Sequence, residues 1–210
     1  MSSHAARAQS QPEPTAPQPG RFRWRVVDIV VASVVAVATG VLFWIWSSSW
    51  SAMSVPFAAF PPAAGLLTGV WCLAGPLGAL IIRKPGAALY CELLAATVSA
   101  LIGTQWGPQV LISGFIQGLG AELVFLLFFY RRFGIGVAIL AGLGAGLFLG
   151  VSENIMYNVE WAFTWQAVYT VTASVSGALL AGLGAWLLVR ALAASGALSA
   201  FAAGRSAREV

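Results

Sequence analysis

The sequence predicts an all-α integral membrane protein of six transmembrane helices with both termini cytoplasmic, and three observations carry that expectation. Apolar residues make up 59% of the chain and charged ones only 9%, against about 25% charged in ordinary soluble domains. The 210 residues leave room for about six apolar spans of roughly 20 residues, the length a helix needs to cross a hydrocarbon core of about 30 Å. Finally, every lysine and arginine falls on one side of such a set of spans, so the positive-inside rule fixes the orientation.

Residues 1–20 are rich in Ser, Gln, Ala and Pro without hydrophobic periodicity and are expected to be a disordered cytoplasmic tail. No apolar stretch begins before Val26, so they do not read as a secretory signal. The membrane domain covers 21–190. Its first span, Val26 to Trp46, follows Arg21, Arg23 and Arg25 and carries Asp28, which can reach the interface or those arginines. An uncharged connection leads to Pro61-Pro62, which suits a helix start, and to the second span, Ala63 to Ile82. Arg83-Lys84-Pro85 closes it with a tight turn, because proline disfavours helix in the residue before it. The third span runs from Gly86 to Ile102, the fourth from Gln109 to Tyr130, ending at Arg131-Arg132, the fifth from Gly134 to Tyr157 and the sixth from Ala167 to Val189. Residues 191–210, with Arg205 and Arg208, form a cytoplasmic C-terminal segment.

Composition also bears on function. The single histidine, His4, lies in the tail, and no HExxH, GxSxG or P-loop pattern is present. Cys72 and Cys91 fall inside apolar spans, where they pack as small hydrophobes. We therefore expect no metal site, no cofactor and no nucleic-acid partner, and a chain that is neither a self-contained enzyme nor an ATPase.

Intramembrane polar residues are expensive and mark function by default. Glu122 ends the stretch Gly114 to Glu122, and Glu92 lies in the preceding span of opposite direction. Gln117 sits higher in span four, nearer the outside, and Glu153, Asn154 and Tyr157 stand at the outer end of span five. A pocket open to the outer face is thus expected, walled by Gln117, Glu153, Asn154 and Tyr157, roofed by Gln105, Trp106 and Trp161, and floored by Glu122. Carboxylate and amide groups in such a set suit paired hydrogen bonds to an amino-substituted nitrogen heterocycle, and aromatic rings suit stacking on it or holding a cation. Glu122 lies nearer the cytoplasmic end, so it either reads a ligand directly or supports Gln117 from below. Gly142, Gly146 and Gly150 share one face of span five and read as a close helix contact. Ala32 and Ala36 in span one form a similar small-residue face, for internal packing or for another membrane protein.

The motifs Arg83-Lys84-Pro85-Gly86-Ala87-Ala88, Glu92, Gly107-Pro108, Gln117-Gly118-Leu119-Gly120-Ala121-Glu122 and Ser176-Gly177-Ala178-Leu179-Leu180-Ala181-Gly182, in that order, resemble the YkoE family. The resemblance runs from about Arg25 to Arg208. It implies an S component, the substrate-binding subunit of an energy-coupling-factor vitamin transporter in a prokaryotic cell membrane. Such a subunit takes thiamine or its hydroxymethylpyrimidine moiety from outside and works with a transmembrane coupling protein and two ABC-type ATPases. The resemblance further implies that Ala32 and Ala36 contact the coupling protein. Glu122 and Gln117 are expected to read the pyrimidine, with Trp106, Tyr157 and the Glu153-Asn154 pair forming the outer part of the site. The competing reading is a membrane enzyme or structural subunit using Glu92 and Glu122 as an intramembrane polar pair.

Overall fold

The computed structural model describes residues 22–199 and 201–206, so the tail at 1–20 lies outside the described residues. Every regular element among them is helical. Helix α1 covers Val26–Met53. A 3-10 segment, Pro61–Cys72, runs into α2, Ala74–Ile82, and α3 (Ala87–Ile102), α4 (Gln109–Leu127) and α5 (Ile135–Met156) follow. Helix α6, Phe163–Ser176, passes through a π-helical stretch, Gly177–Leu183, into α7, Gly184–Ala194, and α8 is the short Ala202–Ser206. Five helical segments are long and apolar enough to cross a membrane: Val26–Met53, Pro61–Ile82, Gln109–Leu127, Ile135–Met156 and Phe163–Ala194. Ala87–Ile102 is apolar but has only 16 residues, about 24 Å of helix.

Helix α1 continues seven residues past the predicted end at Trp46 because nothing there breaks it. Ser48 and Ser49 donate back to the carbonyls of Trp44 and Ile45, both at 2.9 Å, instead of competing for the helical N–H groups. The 12-residue 3-10 segment is long for its kind. It is held against α6 by side chains: Thr172 donates to the Pro62 carbonyl (2.8 Å), Ser176 donates to that of Leu66 (2.6 Å), and the Gly69 N–H donates to Ser176 Oγ (2.9 Å). The approach at Gly69 is so close that an added Cβ would lie 2.3 Å from the Ser176 carbonyl oxygen.

The glycines of α5 pack internally, as their spacing predicts: a Cβ on Gly142 would meet the Gly177 carbonyl oxygen at 2.2 Å. The small residues of α1 are corrected by the structure. Ala32 and Ala36 are both fully buried, on the face of α1 that packs on α3, where Cys91 Sγ reaches the Ala32 carbonyl at 3.6 Å. They are closed to a protein partner; the valines and isoleucines on the opposite side of α1 are the exposed ones.

The described basic residues gather at one end of the bundle. Lys84 Nζ donates to the Arg23 carbonyl (2.6 Å) and the Trp24 indole to that of Pro85 (3.0 Å), joining the entry of α1 to the α2–α3 turn. Asp28 is wholly buried there rather than solvated. It accepts from the Arg25 backbone (2.7 Å), the Arg25 guanidinium (2.8 Å) and Lys84 Nζ.

Candidate ligand-binding site

At the other end of the bundle the helices enclose a cavity of about 530 Å³, a size typical of small-molecule sites. Its floor is built by α3 and α4. Gly114 and Gly118 let α4 lie directly on α3, since a Cβ at those positions would come within 2.5 Å of Ala96 Cβ and 2.9 Å of Glu92 Cβ. That contact brings Glu92 and Gln117 to one surface, and both line the cavity. Glu92 is 1% exposed and Gln117 4%. The Gly75 N–H, one of the unpaired donors in the first turn of α2, gives Glu92 Oε2 a hydrogen bond of 2.6 Å. Glu92 Oε1 is buried and has no partner among the described residues. A buried polar atom left unpaired in a cavity is a position that a ligand donor can complete.

The walls are aromatic. Trp50 and Trp71 lie with ring centroids 5.0 Å apart, and Trp106 stands edge-on to Trp71 at 5.9 Å and 89°. Tyr157 follows at 6.2 Å from Trp106. The Trp71 indole is spent on Ser47 Oγ (3.0 Å), whereas Trp106 Nε1 is buried without a partner among the described residues. Gln105 is not on the cavity wall; its amide donates to the Ser47 carbonyl (2.8 Å) and fixes the α3–α4 loop, and hence Trp106, against α1. Across the cavity, Glu153 of α5 lines the wall and accepts a hydrogen bond from the buried hydroxyl of Tyr169 on α6. Trp161 packs edge-on to Tyr169 at 5.8 Å.

Besides Gln105, two more expected contacts lie elsewhere. The Asn154 amide turns away to the Gln166 carbonyl (2.8 Å) and Thr170 Oγ1 (2.9 Å), so Asn158, one turn on, lines the cavity in its place. Glu122 is not the floor. Its carboxylate accepts from the backbone N–H groups of Gly86 (2.6 Å), Ala88 (2.9 Å) and Leu89 (3.2 Å) and from the Tyr130 hydroxyl (2.6 Å). It caps the first turn of α3, five residues along α4 from Gln117, at the basic end of the bundle. Glu92 and Glu122 therefore serve separate hydrogen-bond networks and do not form an acid–base pair. No group of three metal-ligating side chains occurs among the described residues.

Trp50, Trp71 and Tyr169 are wall residues that the sequence reading did not place at the site. The stripe Tyr169, Thr172 and Ser176, at i, i+3 and i+7, was a usable signal for Tyr169, because polar side chains at those intervals share one face of an otherwise apolar helix.

A family model for the permease component of an ABC-type cobalt transport system matches residues 27–148. The putative HMP/thiamine permease protein YkoE of Bacillus subtilis (strain 168) is 34% identical over 187 residues, covering 89% of this chain and 93% of that protein. A crystal structure of an S-component of an ECF transporter superposes with a TM-score of 0.83 at 32% identity, over 89% of this chain and 94% of the other. All three are transport components rather than enzymes. The cavity-bearing helical bundle, its membrane-length apolar segments and these likenesses agree: the chain belongs to the YkoE family of membrane-embedded S components of energy-coupling-factor transporters.

Proposed function

We propose that this chain captures thiamine or hydroxymethylpyrimidine from outside the cell and passes it inward with a transmembrane coupling protein and two ABC-type ATPases. The observation that carries the reading is the buried Glu92 carboxylate, with one oxygen fixed by Gly75 and the other unpaired, beside Gln117 in an aromatic-walled cavity. An aminopyrimidine offers N–H donors to Glu92 Oε1 and a donor–acceptor edge to the Gln117 amide. Its ring stacks between indoles, and a thiazolium, where present, meets Glu153 and the aromatic faces of Trp106 and Tyr157. The name of the Bacillus relative supports the same ligand class. Glu122 supports the site at a distance by fixing the start of α3, the helix that carries Glu92.

The topology belongs to the same proposal. Ala87–Ile102, third in chain order, brings the five spans to six and is short because its ends are closed by Gly86 and Gly103, both with positive φ (83° and 104°). The basic end of the bundle, with residues 1–20 and 191–210, faces the cytoplasm of a prokaryotic cell, and the cavity faces outward.

Calorimetric titration of the purified protein with thiamine tests the binding reading. Gln117→Ala lowers affinity by roughly 10-fold, the scale of one hydrogen bond lost in a buried site. Unchanged affinity in both Gln117→Ala and Glu92→Ala would remove the proposed floor.

A further inference from the structure

The cavity wall carries two carboxylates, and among the described residues no lysine, arginine or histidine faces them. Glu92 is held by a backbone N–H and Glu153 by a tyrosine hydroxyl, both neutral donors. The two ion pairs among the described residues both belong to Asp28 at the opposite end of the bundle. Arg132 lies before the start of α5 at Ile135, and Glu153 stands 18 positions further along that helix, about 27 Å and far outside ion-pairing distance. Sites that take phosphate groups present arginine, lysine or open helix N-termini. Here the N-terminal donor that reaches the cavity floor, Gly75 N–H, is already used by Glu92.

We propose that Glu92 and Glu153 together make the cavity a charge filter that admits the cationic or neutral form of its heterocyclic ligand and rejects its phosphate esters. This rests on the binding-site reading above and adds to it a specificity set by two named residues. A phosphomonoester carries close to two negative charges near neutral pH. Inside the cavity it exchanges water for two carboxylates and the edges of indole rings, with no cation to compensate. Tyr169 acts as a positioning residue: by occupying Glu153 Oε2 it holds that carboxylate on the cavity wall.

The test titrates the full-length protein with thiamine and, separately, with thiamine monophosphate. The filter predicts that the wild type binds the monophosphate about 100-fold more weakly, equivalent to about 2.8 kcal/mol. Glu153→Gln, close to isosteric and uncharged, weakens thiamine itself several-fold by removing the partner of the thiazolium, strengthens binding of the monophosphate, and so narrows the gap between the two to roughly 10-fold. Tyr169→Phe, which keeps the charge but frees the carboxylate, gives a partial narrowing and serves as the second variant. A wild-type gap below about tenfold, or a gap unchanged in both Glu153→Gln and Glu92→Gln, overturns the filter and leaves thiamine binding standing. Binding of neither ligand to the wild type overturns the binding-site reading itself.

Discussion

Four carboxylates among the described residues lie on helices that cross or pack within the bundle, and what separates their roles is the number of donors each one meets. Asp28 has two cations and a backbone N–H, Glu122 has three backbone N–H groups and a phenol, Glu153 has one phenol, and Glu92 has one backbone N–H and a free oxygen. A saturated carboxylate holds structure; an unsaturated one in a cavity is available to a ligand. Two substitutions separate these roles. Glu122→Ala strips three hydrogen bonds from the start of α3 and one from the Tyr130 hydroxyl and lowers stability by about 3 kcal/mol or more, because buried backbone donors are left unpaired. Thermal unfolding in detergent reads that loss, and thiamine affinity of the folded fraction stays within a few-fold of wild type. Glu92→Gln does the reverse: affinity falls by roughly 100-fold, as for a lost charge-assisted hydrogen bond, with little change in unfolding temperature. The sequence marked both glutamates as anomalies and placed Glu122 nearer the basic end. It could not count their donors, because the N–H groups that saturate Glu122 come from a turn more than 30 residues earlier.

Among the elements, the segment leading into α2 departs furthest from its sequence expectation. Pro61 and Pro62 marked a helix start, and the structure begins a helix there, but as 12 residues of 3-10 geometry. Its contacts are tertiary: hydroxyls of Thr172 and Ser176 on α6 donate to the carbonyls of Pro62 and Leu66, 110 residues apart in sequence. Such a pairing has no local signature. The glycine stripe of α5, by contrast, was legible from spacing, because close helix approach needs small residues at four-residue intervals whatever the partner. The α1 stripe at Ala32 and Ala36 has the same spacing but gave no way to tell α3 from another protein as its partner. Ser176→Ala removes both an acceptor and a donor from the 3-10 segment and is expected to cost about 2 kcal/mol. It also weakens ligand binding, since Pro61, Ala64 and Trp71 on that segment line the cavity; unfolding and titration of the same variant check both.

At the scale of the whole molecule, charge and cavity occupy opposite ends. Basic side chains and the saturated carboxylates Asp28 and Glu122 tie the ends of α1, α2, α3 and α4 together. Trp50, Trp71, Trp106, Trp161 and the unsaturated carboxylate surround the cavity at the other end. This segregation was readable from the placement of lysine and arginine alone, whereas the cavity walls were not, since Trp50 and Trp71 look like any interfacial aromatic residue until the fold turns them inward. The proposed orientation predicts that Ala59→Cys, beside the cavity mouth, reacts with a charged thiol reagent in intact cells, and that Ser199→Cys reacts only after the membrane is opened. Native Cys72 and Cys91 are fully buried and stay silent. Labelling of Ser199→Cys in intact cells would invert the topology.

The central claim, that the cavity floored by Glu92 is where a thiamine-class ligand binds, is tested most directly by calorimetric titration of thiamine into wild type, Glu92→Gln and Glu122→Gln side by side. We predict saturable binding by the wild type, a roughly 100-fold loss in Glu92→Gln and near wild-type affinity in Glu122→Gln. Equal loss in both variants, or loss confined to Glu122→Gln, would contradict the assignment of the floor to Glu92.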